Sequence, residues 1–336
     1  MASTADQLAA NLNFGALGKA AELKKRIWFT LGALIIYRLG TFIPIPGIDP
    51  VIMQDIFQQN TGGILGMFDM FAGGALGRMT IFALNILPYI SASIIMQLMT
   101  AISPKFEQLK KEGEQGRKKI NQYTRYGTVI LAAVQGYGIA VGLESMTSSQ
   151  GSAVIDPGTF FRLTTVITLT AGTVFLMWLG EQVTARGVGN GISLIIFAGI
   201  VANLPSALVA TLELGRTGAL SAIFIIFLLI AMVALITFVV FVERAQRRII
   251  VQYPKRQSGN KMFGGESSHI PLKINTSGVI PVIFASSLLL LPITLANFSA
   301  GGGPEWLASI SALLGRGQPL YLLLYASGIA FFAFFY

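Results

Sequence analysis

Eight apolar stretches, roughly residues 27–45, 79–102, 124–143, 163–180, 191–210, 219–242, 277–296 and 320–336, dominate this 336-residue chain. A helix of ~20 residues crosses the ~30 Å hydrocarbon layer of a bilayer. Within that layer every backbone N–H and C=O must be bonded inside the protein, so repeated stretches of this length predict an all-α polytopic membrane protein. Composition agrees, with 53% hydrophobic and 12% charged residues and a mean hydropathy of +0.67. Soluble domains carry about twice that charge.

The chain has no cysteine and one histidine, His269. Disulfides, thiolate metal sites and multi-histidine ligand sets are thereby excluded, and neither a metal nor a cofactor is expected. The formal charge of +9 is best read as topology. Of 24 Lys and Arg residues, 19 fall before the first stretch or in the second, fourth and sixth connections, whereas Asp and Glu divide 8 to 7 between the two sides. By the positive-inside rule the N-terminus and even-numbered connections are cytoplasmic. The first stretch follows about 26 polar or amphipathic residues and precedes no small-residue cleavage site, so it is expected to remain in the mature protein. The sequence stops within the apolar run 331–336, which reads as a chain whose C-terminal part lies beyond.

Function shows where the pattern breaks. Residues 61–78 are apolar but glycine-rich and too short to span. They fit a loosely held half-helix buried in protein or lining a cavity, or an interfacial re-entrant segment of no special role. Pro88, Pro205, Pro281 and Pro292 interrupt further stretches. The run Arg186-Gly187-Val188-Gly189-Asn190-Gly191-Ile192-Ser193 has the composition of a phosphate loop without its lysine or preceding strand. Arg38, Glu181 and Glu243 lie near the ends of stretches, where snorkelling would satisfy them. Ion-coupled pumping is therefore disfavoured. Ser91, Ser93, Ser286 and Ser287 have no intramembrane His or Lys partner, so an intramembrane protease is unsupported and the chain is not expected to be an enzyme. A secondary transporter with a midplane site would use the same Gly and Pro breaks. The overall profile is that of a conduit. Its two basic loops, around 105–125 and 243–273, suit a polyanion such as lipid headgroups, ribosomal RNA or an acidic protein surface, and would equally fix topology alone.

Seven strings occur in order: Phe42-Ile43-Pro44-Ile45-Pro46-Gly47-Ile48-Asp49, Pro88-Tyr89-Ile90-Ser91-Ala92-Ser93-Ile94-Ile95, Lys111-Glu112-Gly113-Glu114, Trp178-Leu179-Gly180-Glu181, Gly187 to Ser193, Val242-Glu243-Arg244-Ala245-Gln246-Arg247-Arg248-Ile249, and Gly278-Val279-Ile280-Pro281. Together they closely resemble the SecY family, the pore-forming subunits of the bacterial Sec protein translocase, over essentially the whole chain. The resemblance implies ten helices in two pseudo-symmetric halves hinged between the fifth and sixth, of which this sequence supplies eight. It divides the chain into a cytoplasmic segment 1–26, a first half 27–210 and an incomplete second half 211–336. It implies a bacterial inner-membrane channel that passes unfolded polypeptides and releases hydrophobic segments sideways into lipid.

Residue by residue, the resemblance puts a pore ring at Ile86, Ile90, Ile192, Ile196 and Ile283. A spacing of four puts each of the pairs 86/90 and 192/196 on one helical face. Branched aliphatics form a collar that dewets; the same isoleucines would also serve as lipid-facing residues. A plug falls at 62–74, with Gly62, Gly63, Ile64, Leu65, Met67, Phe68, Met70 and Phe71. Ser91, Gln97, Gln135 and Asn275 are assigned to a lateral gate. Arg244, Arg247, Arg248, Lys255 and Arg256 are assigned to docking of the SecA motor or the ribosome. The implied partners are the SecE and SecG subunits, SecA, the ribosome through its RNA, the translocating polypeptide and anionic lipids.

Overall fold

The computed structural model describes residues 21–60, 69, 72–145, 147–148, 151–251, 256–258, 261–263, 268–278, 281–282, 284–286, 288–289 and 318–335. Its elements are helices α1 (Ala21–Gly40), α2 (Pro50–Asn60), α3 (Leu87–Ile102), α4 (Pro104–Lys111), α5 (Glu114–Ser145), α6 (Thr159–Arg186), α7 (Gly191–Ala202), α8 (Leu204–Arg216), α9 (Ala222–Arg244) and α10 (Pro319–Phe335). Six short strands accompany them: β1 (Thr147–Ser148), β2 (Gly151–Ser152), β3 (Gln246–Val251), β4 (Arg256–Ser258), β5 (Lys261–Phe263) and β6 (Ser268–Lys273), paired antiparallel as β1–β2, β3–β6 and β4–β5.

The chain forms two compact units, residues 1–205 with 286–325 and residues 206–285 with 326–336. In the first, the α5–α6 hairpin is the spine; α3 packs on α5, and α1 and α7 pack on α6. Small residues let these helices approach. Thr124, Thr128, Ala132, Gly136 and Ala140 recur every fourth residue along the buried face of α5. Such small-residue stripes allow the close approach on which helix association in lipid depends. The matching stripe of α6 runs Phe161, Thr165, Leu169, Thr173, Leu176 and Val183. Across one part of this unit, Tyr37, Phe82, Phe175 and Trp178 form a ladder of rings with centroids 5.9–6.2 Å apart.

The extents of several spans differ from those expected. Among the described residues four helices, Glu114–Glu144, Thr159–Arg186, Gly191–Arg216 and Ala222–Arg244, are long and apolar enough to cross a membrane, or five if α3 and α4, bent by 97°, form one span. The second apolar stretch does not begin as helix at residue 79. Residues 73–86 are successive turns, and regular helix starts at Leu87, where Pro88 occupies the first turn. The first stretch stops being helical at Gly40, because Pro44 and Pro46 cannot donate to a helix. The fifth is split at Asn203 into α7 and α8. Helix α5 starts ten residues before its apolar part, and α10 has 17 residues. Most of the seventh stretch lies outside the described residues.

The second unit contains the α8–α9 hairpin, where the Ile225 side chain occupies the space a side chain at Gly215 would need. Ile225 is the buried residue of α9 and Met232 is half-buried; the remaining large apolar side chains of that helix are exposed, as a lipid-facing helix requires. The basic connection expected at 243–273 is an antiparallel ribbon, β3–β6, which leads on to the β4–β5 pair.

Candidate functional site

The string from Phe42 to Asp49 is the keystone of the first unit. The amide of Ile45 donates to the Met79 carbonyl and that of Ile81 to the Ile43 carbonyl, both at 3.0 Å. On the other side the amides of Asp49 and Ile155 donate to the carbonyls of Ala153 and Gly47, both at 3.1 Å. Residues 43 and 45 therefore bond one neighbour and residues 47 and 49 the other. Pro44 and Pro46, having no donor, leave none unsatisfied. Gly47 has φ +88° and lies against the Phe161 ring, so the turn there excludes larger residues.

This ladder holds residues 73–86, a non-helical, largely buried run that threads between helices. Side chains at Gly40 and Gly172 would overlap the Phe82 ring and the Ile81 carbonyl, and Gly73 lies against the backbone of Gly199. Glycines in α1, α6 and α7 thus give the run its passage. Met79 and Asn85 take left-handed conformations, φ 45° and 49°, as the turns demand. Irregular backbone of this kind survives at membrane depth only when enclosed by protein. Asp69 closes the start of the run. Its Oδ1 accepts the Gly77 amide at 2.7 Å and its carbonyl the Gly74 amide at 2.9 Å. Burial raises the carboxyl's pKa above the usual range, against the lowering effects of the Gly77 and Leu76 amides and of Arg78.

The run delivers Ile86 to the N-cap of α3, with Ile90 one turn on; the Ile90 amide donates to the Ile86 carbonyl at 3.1 Å. These two ring candidates are 1% and 9% exposed. Ile192 and Ile196 are half-buried on α7, one position after the buried stripe Gly191, Ile195 and Gly199, and the Ile192 side chain lies against Gly180. Ile283 lies outside the described residues, as do all eight plug candidates: Gly62, Gly63, Ile64, Leu65, Met67, Phe68, Met70 and Phe71.

The glycine-rich string 187–193 is a tight α6–α7 turn. Asn190 caps α7, accepting the amides of Ile192 and Ser193, while Thr184 Oγ1 accepts the Gly191 amide at 2.9 Å and Thr30 Oγ1 the Val188 amide at 3.1 Å. A side chain at Gly191 would overlap the Gly180 carbonyl. Its glycines serve helix crossing, which explains their number without a phosphate.

The gate candidates belong to three elements, α3, α5 and the base of the β3–β6 ribbon. Ser91 is buried on α3, Gln97 is exposed and donates to Ser93 Oγ at 3.2 Å, and Gln135 is half-buried on α5. Asn275 belongs to the base of the β3–β6 ribbon. Its Nδ2 donates to Glu243 Oε2 at 3.2 Å, and its Oδ1 accepts from Ser277 Oγ and the Gly278 amide, both at 3.1 Å. The ionic side chains expected to snorkel have specific partners instead. Arg125 makes a two-pronged bond to Glu181 at 3.0 and 2.8 Å, Glu243 holds Asn275, and Arg38 donates to the Gly73 carbonyl at 2.7 Å. Alternation along β3 sends Arg247 and Arg248 to opposite faces of the ribbon. Arg247 shares its face with Ile249, Ile270 and Leu272, and Arg248 shares the other with Ile250, His269 and Lys273. Arg244 ends α9, Arg256 opens β4, and Lys255 lies outside the described residues.

Long apolar helices folded around an enclosed, irregular backbone run define a polytopic membrane protein with the fold of protein-conducting channels. The fold matches a chain solved as "The structure of a protein conducting channel" with a TM-score of 0.61 at 20% identity, over 84% of this chain and 60% of that one. It also matches the Sec61 of a canine ribosome-channel complex with a TM-score of 0.58 at 20% identity, over 84% of this chain and 60% of that one. The SecY family profile matches residues 80–336. The protein translocase subunit SecY of Rickettsia typhi is 58% identical over 94% of this chain, and that of Escherichia coli K12 is 56% identical over 96%; the chain covers 72% of each relative. The chain belongs to the SecY family and is a channel-forming translocase subunit.

Proposed function

We propose that this chain supplies the greater part of the wall of a pore through which unfolded polypeptides cross the bacterial inner membrane, with its N-terminus in the cytoplasm and a lateral gate that releases hydrophobic segments into lipid. The observation that carries this reading is the enclosed run 73–86, which ends at the buried Ile86 capping α3, with the buried Ile90 one helical turn further on. In this reading Ile86, Ile90, Ile192, Ile196 and Ile283 form the constriction, the stretch 62–74 is the plug, and Ser91, Gln97, Gln135 and Asn275 lie near the gate. SecE and SecG complete the complex, and the exposed arginines of the ribbon meet SecA or ribosomal RNA and anionic lipid. An aliphatic collar resists ions because it holds no water, and a charge in it recruits water. Aspartate at Ile86 or Ile192 in the full-length, reconstituted complex is expected to raise resting ion conductance. Unchanged conductance in both variants would remove these residues from the constriction.

A further inference from the structure

The β3–β6 ribbon is rooted with no slack. Its ladder, from Val251 with Ser268 to Gln246 with Lys273, is carried one step further by the bond from the Ile274 amide to the Ala245 carbonyl at 3.2 Å. Asn275 follows at once on one side, and Glu243, in the last turn of α9, lies two residues back on the other. These two side chains close the root, Asn275 Nδ2 donating to Glu243 Oε2 at 3.2 Å. The same amide shapes what comes next. Its Oδ1 accepts from Ser277 Oγ and the Gly278 amide, both at 3.1 Å, and Gly278 is left-handed, with φ 63°. Helical geometry follows at Pro281 and Val282. The Gly278 amide needs an oxygen and the Glu243 carboxylate needs an N–H, so the network admits one orientation of the Asn275 amide. Between residues 243 and 273 seven Lys and Arg side chains face two carboxylates, Glu243 and Glu266. Among the described residues Glu243 pairs with none of those cations. A carboxylate placed only to offset charge would meet a cation; this one meets Asn275.

We propose that Glu243 is a positioning residue: by holding Asn275 it makes the ribbon and the entry of the seventh apolar stretch one lever, so that a partner docked on the ribbon biases the lateral gate. The inference rests on reading the ribbon as a docking surface and Asn275 as a gate residue. Six paired residues make a ribbon about 20 Å long. With the root closed, a tilt imposed along that length is carried to Asn275; with the root open, it is taken up at Arg244 and Ala245. A docked partner shifts the gate only by as much as its contacts differ between the two gate states. Loss of one charge-assisted hydrogen bond from the root is expected to cut that shift about tenfold.

The test uses the full-length protein, carrying no other cysteine, in its complete complex in vesicles. Spin labels at Met99→Cys on α3 and Val282→Cys report the gate as a distance distribution, with and without SecA, whose affinity is measured alongside. Asn275→Asp keeps the oxygen that Ser277 and Gly278 use but sets a second carboxylate against Glu243. SecA should bind it as it binds the parent, while the ratio of shifted to unshifted distances on binding falls about tenfold. Glu243→Ala should behave alike. Adding Glu243→Gln to Asn275→Asp restores a donor and an acceptor with their places exchanged, and the response should return. A merely structural defect would lower SecA affinity and would not be repaired by that exchange. If the parent responds and both single variants respond as fully, the lever is overturned while the gate and docking readings stand. A loss that the exchange leaves unrepaired also overturns the lever. If the parent binds SecA with no change in distance, the gate reading falls with the lever; if it does not bind SecA, the docking reading does. Should Asn275→Asp fail to accumulate, Glu243→Ala decides alone, and a full response from it overturns the lever.

Discussion

The run 73–86 and the β3–β6 ribbon are both irregular insertions between helices, yet they are held in opposite ways. The first is enclosed: its backbone is bonded to residues 43 and 45, its turns fit against glycines in three helices, and its charged neighbours are tied to carbonyls. The second holds itself by its own ladder and by a base in which the Ile274 amide donates to the Ala245 carbonyl and Asn275 to Glu243, while its side chains face outward. Enclosure suits a part that must hold a seal, because each substitution there meets a packed neighbour. Outward display suits a part that meets a partner from solution, because side chains can change there without unfolding the frame.

Substitutions that break the enclosure should have the largest effect. Gly172→Leu would drive a side chain into the Ile81 carbonyl and is expected to cost about 3 kcal/mol or more. A thermal melt of the purified complex should show the loss, and an unchanged midpoint would mean that the run is not enclosed by α6. Asn190→Ala removes the cap of α7 and should cost about 1 kcal/mol, read in the same melt.

On the ribbon, stability should scarcely move while binding does. Arg248→Glu is expected to weaken docking of a polyanionic partner, more so at low than at high salt. Arg247→Glu, on the face with Ile249, Ile270 and Leu272, should affect that same partner less. Equal losses from the two variants would remove the distinction between faces. The smallest effect is expected at Asp69. Its carboxyl is raised by burial, so between its ordinary and its raised pKa the folded state binds more protons than the unfolded one, and stability falls as pH rises through that window. The parent should therefore gain stability on acidification through that window, whereas Asp69→Asn, which keeps an oxygen for the Gly77 amide, should lack this dependence. Identical pH profiles would show that Asp69 is not the titrating group.

Much of the helical frame was legible in the sequence. Apolar length marked α5, α6 and α9, and the glycine pattern announced a break in regular helix near residue 73. The extent of that break was not legible, because residues buried in protein and residues facing lipid are equally apolar: hydropathy continues through residues 79–86 without a sign that the helix has not begun. The left-handed Asn85 was the local signal available there. The roles of Arg38, Glu181 and Glu243 were hidden for a related reason. A charge near a helix end is satisfied by water or by a partner, and only coordinates distinguish the Gly73 carbonyl from solvent. The ribbon was obscured by its charge, although Arg247 to Val251 already carried the β-branched content of a strand.

A translocating polypeptide is expected to pass alongside the start of α3. The absence of cysteine makes a direct measurement available: Ile90→Cys in the full-length protein, with a translocating polypeptide carrying one cysteine stalled halfway. Crosslinking that requires translocation is predicted, because Ile90 would then line the path. If the substrate is verifiably stalled and neither Ile90→Cys nor Ile86→Cys crosslinks to it, the path runs elsewhere and the proposed constriction is wrong.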